Sequence, residues 1–231
     1  YGASSTAVGH ATIGSGRLPR QHGIINNEWF LDPQAMKEQH VAYDKDAKPI
    51  GMGEGEKAAA YSPRHLIGPC LGDQLKLADK RSRVFSVSLK HRAAIMIAGQ
   101  DPDMVVWWDR VSGKFVTSDW YAEALPPYVA EYNQARVVDQ YIGKAWEKVL
   151  PDAAYASCHA VDPAWITYDY HLGKAFPHTT KKGEAGTPGQ PYDSLYASPF
   201  GNDMVLEIAK RMLAQEKLGQ GPAPDMLCVS F

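Results

Sequence analysis

Long apolar runs, clustered cysteines and an excess of either charge are all missing from this 231-residue sequence. Nothing in it approaches the roughly 20 consecutive apolar residues that a membrane span needs. With 24 Lys and Arg against 26 Asp and Glu, and no basic tract, the chain lacks the electrostatic footprint of a nucleic-acid binder. The three cysteines, Cys70, Cys158 and Cys228, are far apart and form no CxxC unit. That leaves little for a zinc-finger or redox reading; buried thiols, or at most one disulfide, are expected. The sequence starts at Tyr1 and carries no signal peptide by which to judge secretion. No internal repeat is visible.

What is present suits an ordinary globular domain. Apolar residues make up 45% of the chain, enough at this length for one substantial core, so one domain over 1–231 is the default. Short β-rich runs at Arg83 to Leu89, Met104 to Trp108 and Asp225 to Phe231 read as strands. Helical spacing of Met204, Val205, Ile208, Ala209, Met212 and Leu213 predicts a helix from Asn202 to Leu218, with others at Leu71 to Asp79 and Pro127 to Gln134. Alternation of buried-type strands with helices favours a mostly parallel sheet covered by helices. Residues 110–200, rich in aromatics, Pro and Gly, read as an insertion or cap, with Lys181 to Pro191 an exposed flexible loop.

The first thirty residues are the most informative. A hydroxyl residue opens a short helix at Ser5-Thr6-Ala7-Val8-Gly9-His10, a Gly and Pro turn ends it, and a polar loop with an amide follows at Asn26-Asn27, an arrangement that suits an oxyanion. Thr6 with Gly9-His10, then Ser15-Gly16-Arg17-Leu18-Pro19-Arg20-Gln21-His22-Gly23-Ile24, then Asn27, resembles the alkaline phosphatase superfamily. The similar branch holds nucleotide pyrophosphatase/phosphodiesterases and threonine-nucleophile alkaline phosphatases. The resemblance implies a three-layer α/β/α sandwich, with Thr6 as both nucleophile and zinc ligand.

Taken alone, Thr6 or Ser5 is an N-cap; the spacing to His10 and to Asn27 is what favours Thr6 as nucleophile over Ser4 and Ser5. An aliphatic hydroxyl attacks poorly at neutral pH unless a cation and a helix N-terminus favour its alkoxide. Asn27 would donate its amide to a nonbridging phosphate oxygen. Asn26 is its rival, disfavoured because the family places the Asn before a variable residue and an aromatic, here Glu28-Trp29.

Ser86-Val87-Ser88-Leu89-Lys90-His91-Arg92 is the second site. If extended, it aims Lys90 and Arg92 the same way, two residues apart, at the strand end where α/β proteins gather ligands. An ammonium and a guanidinium fork suit a phosphate dianion, although two solvated charges after a strand are also common. The phrase resembles the Ser-x-Lys-x-Arg segment of the threonine-nucleophile alkaline phosphatases, which implies monoester hydrolysis.

In that family an upstream Asp, an Asp-x-x-x-His, an Asp-His pair and a further His complete a two-zinc site with the ions about 4 Å apart. This sequence contains no such segments before Thr6 or after Phe231, and an internal fragment of a longer enzyme is expected. The whole would be a periplasmic or secreted enzyme acting on a small phosphorylated substrate, with two zinc ions that the fragment itself does not retain. Phosphodiester hydrolysis and an inactive fragment are the alternatives. His159, His171, His178, Asp162 and Asp169 fit no common metal spacing and read as surface or packing residues. His10 and His22 are assigned to holding the nucleophile loop, and Gly9, Gly14, Gly16 and Gly23 to tight backbone packing.

Overall fold

The computed structural model describes residues 5–32, 34, 37–56, 58–158 and 169–231. Its helices are α1 (Thr6–Ser15), α2 (Pro19–His22), α3 (Leu71–Ala78), α4 (His91–Ala98), α5 (Pro127–Gln134), α6 (Asp193–Tyr196) and α7 (Pro199–Gln215). Its strands are β1 (Glu28–Asp32), β2 (Lys37–His40), β3 (Pro49–Ile50), β4 (Val84–Ser88), β5 (Met104–Asp109), β6 (Lys114–Ser118), β7 (Ala145–Trp146), β8 (His178–Thr179) and β9 (Met226–Ser230). Five strands form the central sheet in the order β3-β6-β5-β4-β9, while β1-β2 and β7-β8 are separate antiparallel pairs.

Within the sheet β9, β4 and β5 run parallel, as the sequence predicts, whereas β6 and β3 join antiparallel. Alternate side chains divide two cores. Phe85, Val87, Met104, Val106, Trp108 and Phe115 pack with α5 and α7 on one face; Val105, Trp107 and Val116 pack with α1 and α4 on the other. Two helical layers around one sheet make the three-layer sandwich.

Several sequence expectations need adjustment. The long helix starts at Pro199, where a proline's fixed φ suits the first turn, and ends at Gln215; Leu213 points to solvent, 49% exposed. The segment after β4 does not stay extended, because Ala93, Ala94, Ile95, Met96 and Ala98 bury nearly all round as α4. The stretch 110–200 is divided: Lys114–Ser118 is a central strand, and Tyr128, Tyr132, Tyr192 and Leu195 belong to the main core. The Lys181 to Pro191 loop is largely exposed but tied, with the Gly183 amide donating to Pro191 O at 2.7 Å and Lys181 bonded in both directions to the Ser194 hydroxyl. All three cysteines are free; burial pushes the Cys70 thiol up to about 12 and Cys228 up to about 11, whereas Cys158 is exposed rather than buried.

Among the four motif glycines Gly14 and Gly23 serve close packing, a Cβ at Gly23 falling 2.8 Å from Ile67 Cδ1. A Cβ at Gly14 would sit 2.8 Å from Ile97 O, at the crossing of α1 and α4. Gly16 instead takes a left-handed conformation (φ 65°) that ends α1, as Gly23 does after α2, and Gly9 meets nothing within 4 Å.

Candidate active site

Thr6 is the first residue of α1, and Ser5 occupies the N-cap position without making a side-chain cap bond. Asn27 supplies the cap instead. Its Oδ1 accepts the Ala7 amide at 2.9 Å from 20 residues away, which satisfies a free N–H of the first turn. With its oxygen so engaged, the Asn27 side-chain NH2 is left as the donor beside Thr6. Asn26 is spent locally, its Oδ1 accepting the Asn27 amide at 2.8 Å.

The motif histidines brace this turn. His10 Nδ1 donates to Thr6 O at 2.7 Å, so Nε2 accepts from the Ser230 hydroxyl at 2.8 Å. His22, fully buried, accepts the Ile24 amide at Nδ1 and meets Thr12 Oγ1 at 3.1 Å through Nε2. Burial lowers the affinity of both imidazoles for a proton, and at His10 the charges of Lys90 and Arg92 lower it further against the Thr6 carbonyl bond.

Lys90 follows β4 as the N-cap residue of α4, and Arg92 lies inside the helix, so the strand alternation expected for them does not hold. They nevertheless line the same cavity of about 330 Å³, together with Tyr61, His91, Trp107, Asp109, Arg110, Gln190 and Tyr196. Thr6 and Asn27 are not among its lining residues. The two pairs meet through shared structure. Ser88 lies opposite Ser230 in parallel register, Lys90 stands two residues beyond Ser88, and Ser230 holds His10, one turn from Thr6. Both pairs therefore gather at the C-terminal edge of the parallel strands.

Removal from water disfavours the Lys90 ammonium, and nearby Arg92 disfavours it further. Arg92 Nε is buried with no hydrogen-bond partner among the described residues, which leaves it as a donor for an anion. Between the two cations His91 turns the other way. It stacks on Tyr61 with ring centroids 3.8 Å apart, and its Nε2 lies 3.2 Å from His40 Nε2, so only one of those nitrogens carries the proton. Burial, then the facing imidazole and Arg92, hold His91 well below the ordinary range.

Sequence reasoning missed Arg110, Asp193, Tyr196 and the His40–His91 pair. Arg110 had a signal, since it directly follows a strand that ends at the same sheet edge as β4. The others come from segments with no periodicity. Of the residues set aside, His178 packs against Phe176 and Trp146, and Asp169 accepts the His171 amide. His159 and Asp162 lie outside the described residues, as does Ser4. No group of three or more His, Cys, Asp or Glu able to hold a metal ion occurs among the described residues. Nor is any described helix long and apolar enough to cross a membrane.

This chain is similar to the alkaline phosphatase PhoV of Synechococcus elongatus, at 34% identity over all of the chain and 41% of the relative. It is similar to the alkaline phosphatase PafA of Elizabethkingia meningoseptica at 32%, over all of the chain and 42% of the relative. The chain thus spans about two fifths of the length of the curated relatives it matches. The crystal structure of PafA superposes on 96% of the chain and 42% of its own, with TM-score 0.76 and 30% identity. A solved PafA variant, also at TM-score 0.76, carries replacements of one threonine, one asparagine, one lysine and one arginine. The first two lie 21 residues apart and the last two lie two apart, the spacings of Thr6 to Asn27 and of Lys90 to Arg92. Residues 1–190 match the type I phosphodiesterase / nucleotide pyrophosphatase family, to which the chain belongs.

Proposed function

We propose that the complete protein carrying this chain is a metal-dependent phosphate monoester hydrolase of the alkaline phosphatase type, with Thr6 as nucleophile. The observation that carries this reading is the Asn27 to Ala7 hydrogen bond, which fixes an amide donor beside a threonine at a helix N-terminus. In the first step Thr6 Oγ1 gives up its proton to solvent and bonds to phosphorus as the ester oxygen departs with its electron pair; in the second, water displaces Thr6, whose oxygen takes back a proton, and inorganic phosphate is released. The α1 N-terminus favours the charge that develops on Oγ1. His10 is not the base for this proton, because both of its ring nitrogens are engaged. Asn27 donates to one nonbridging oxygen while Lys90 and Arg92 take the others.

Zinc would supply a Lewis acid to such a site. The described residues do not form its ligand set, since Thr6 is the only expected ligand among them and a hydrolytic zinc normally takes three from the protein. The remaining ligands belong elsewhere in the complete protein. Metal analysis of the dialysed 231-residue chain is expected to find no tightly held zinc; two ions per chain would sink this part of the reading. A periplasmic or secreted location belongs to the same proposal.

The family match also favours a second reading, phosphodiester or nucleotide pyrophosphate hydrolysis, in which Lys90 and Arg92 would be incidental. Rates on a monoester and a diester sharing one leaving group separate the two. A diester preference in the complete protein would reject the monoesterase assignment.

A further inference from the structure

One ring faces two of the cavity's cations. Tyr196, at the end of α6, has the Lys90 ammonium 5.8 Å and the Arg110 guanidinium carbon 4.6 Å from its centroid, and burial raises the proton affinity of its hydroxyl while the nearby charges of Arg92 and Arg110 oppose that rise. The helix that carries it is anchored independently of Lys90 and Arg92. Asp193, 1% exposed, accepts from Arg110 at 2.9 Å and from the Gln190 amide at 2.8 Å, and Leu195 is wholly buried in the core. Arg110 is already neutralised by Asp193, so it packs against the ring and does not await a second anion.

Lys90 and Tyr196 also form the wall between two spaces. They line the 330 Å³ cavity on one side, and on the other a second cavity of about 310 Å³ bounded by Tyr170, Asn202 and Phe231. A lysine side chain has four rotatable bonds and would readily swing between them. The ring attracts the ammonium electrostatically and occupies the space through which it would leave.

We propose that Tyr196 is the positioning residue of the phosphate-binding lysine: its ring confines the Lys90 ammonium to the side of Arg92. The proposal rests on the assignment of Lys90 and Arg92 to phosphate made above. It gives the middle segment of the chain a part in substrate discrimination. A dianionic monoester needs both cations in place, and a monoanionic diester needs them less.

The test uses the complete, metal-loaded protein with Tyr196→Leu, Tyr196→Phe, Lys90→Ala/Arg92→Ala, and the last combined with Tyr196→Leu. Monoester and diester kcat/KM and inhibition by inorganic phosphate are measured, with thermal unfolding as the fold control. Tyr196→Leu should lower monoester kcat/KM by about 30-fold and weaken phosphate inhibition in parallel, with a diester loss at least about fivefold smaller. Tyr196→Phe, which keeps the ring, should stay within about threefold of the parent on both substrates. On the Lys90→Ala/Arg92→Ala background the Leu substitution should cost less than about threefold, since neighbours that act through one another are not additive.

Equal losses on both substrates, or an undiminished loss on that background, would make Tyr196 a general packing residue and overturn the proposal. A monoester-selective loss of about 30-fold in the Phe variant would take the role from the ring and overturn it too, and decides the matter if the Leu variant does not fold. If Lys90→Ala/Arg92→Ala itself leaves monoester hydrolysis intact, the phosphate assignment falls and the Tyr196 proposal with it. Loss in that double variant but not in Tyr196→Leu rejects only Tyr196.

Discussion

The two halves of the site are built on opposite plans. The Thr6 half is short-range: a helix start, a turn and an amide within 22 residues, joined by the hydrogen bonds of Asn27, His10 and His22. The cation half is long-range, drawing Lys90, Arg92, Arg110 and Tyr196 from three segments and holding them by burial, ring contact and one ion pair. Directional bonds fix atoms to tenths of an ångström, whereas packing around like charges fixes them only while the neighbours stay. The nucleophile half should therefore respond to substitutions in an all-or-none way, and the cation half by degrees and by substrate.

The sharpest trial of that contrast is Thr6→Ala in the complete protein. Removing the nucleophile should lower monoester and diester hydrolysis alike, by on the order of 10⁴-fold or more in steady-state rates. A selective loss would mean that Thr6 is not common to both reactions. Next in size is Lys90→Ala/Arg92→Ala, expected to cost the monoester at least about 100-fold and the diester far less. Equal factors in the two assays would hand the assignment to phosphodiester hydrolysis.

Gly14→Ala tests the joint between the halves. Its methyl meets the Ile97 backbone, which cannot step aside as a side chain can, so urea unfolding should show a loss of about 1–3 kcal/mol. A stability unchanged within error would show that α1 and α4 slide freely past each other. Asn27 separates structure from chemistry. Asn27→Ala should lose about 1 kcal/mol with the cap, while Asn27→Asp keeps an acceptor for Ala7 and should hold its stability yet lose activity as it turns a donor into an anion. Equal unfolding midpoints for the Ala and Asp variants would refute the cap.

The gentlest trial is graded. His10, His22, His40 and His91 all bind a proton less readily folded than unfolded, burial being the largest cause in each. Below about pH 6.5 the unfolded chain gains protons that the folded one refuses, so stability is fully present above that value and declines as pH falls through the folded values. Urea midpoints should be level from pH 8 to 7 and drop between pH 6 and 5. A level profile down to pH 5 would contradict it.

Legibility followed the same division. Thr6, Asn27 and the bracing histidines were read through the resemblance, whose motif spacings here fall within one helix and one turn; taken alone, Thr6 reads as an N-cap and Asn26-Asn27 as a turn. The parallel strands were readable from their apolar runs, and α5 from its Pro127 start. Lys90 and Arg92 were found by a resemblance and explained by the wrong local rule, since a helix nucleates at His91 where alternation assumed a strand. Tyr196, Asp193 and the His40–His91 pair left no trace, because a contact between distant segments has no period. The antiparallel addition of β3 and β6 was hidden likewise: Pro49–Ile50 is too short to announce itself and acquires meaning only beside Thr117 and Ser118.

The hydrogen that serves as a side chain at Gly14 sets a limit on how such a chain can drift over generations. Every other residue adds a carbon where Gly14 of α1 meets the Ile97 and Met96 backbone of α4, and the displaced helix would carry Thr6 away from Lys90 and Arg92. Surface positions of α1 such as Ile13, 72% exposed, are free to wander through many identities. Gly14 acts as a fixed point beside them, so a lineage that lost this glycine would have to rebuild the seam from the α4 side before Thr6 regained its place relative to Lys90 and Arg92.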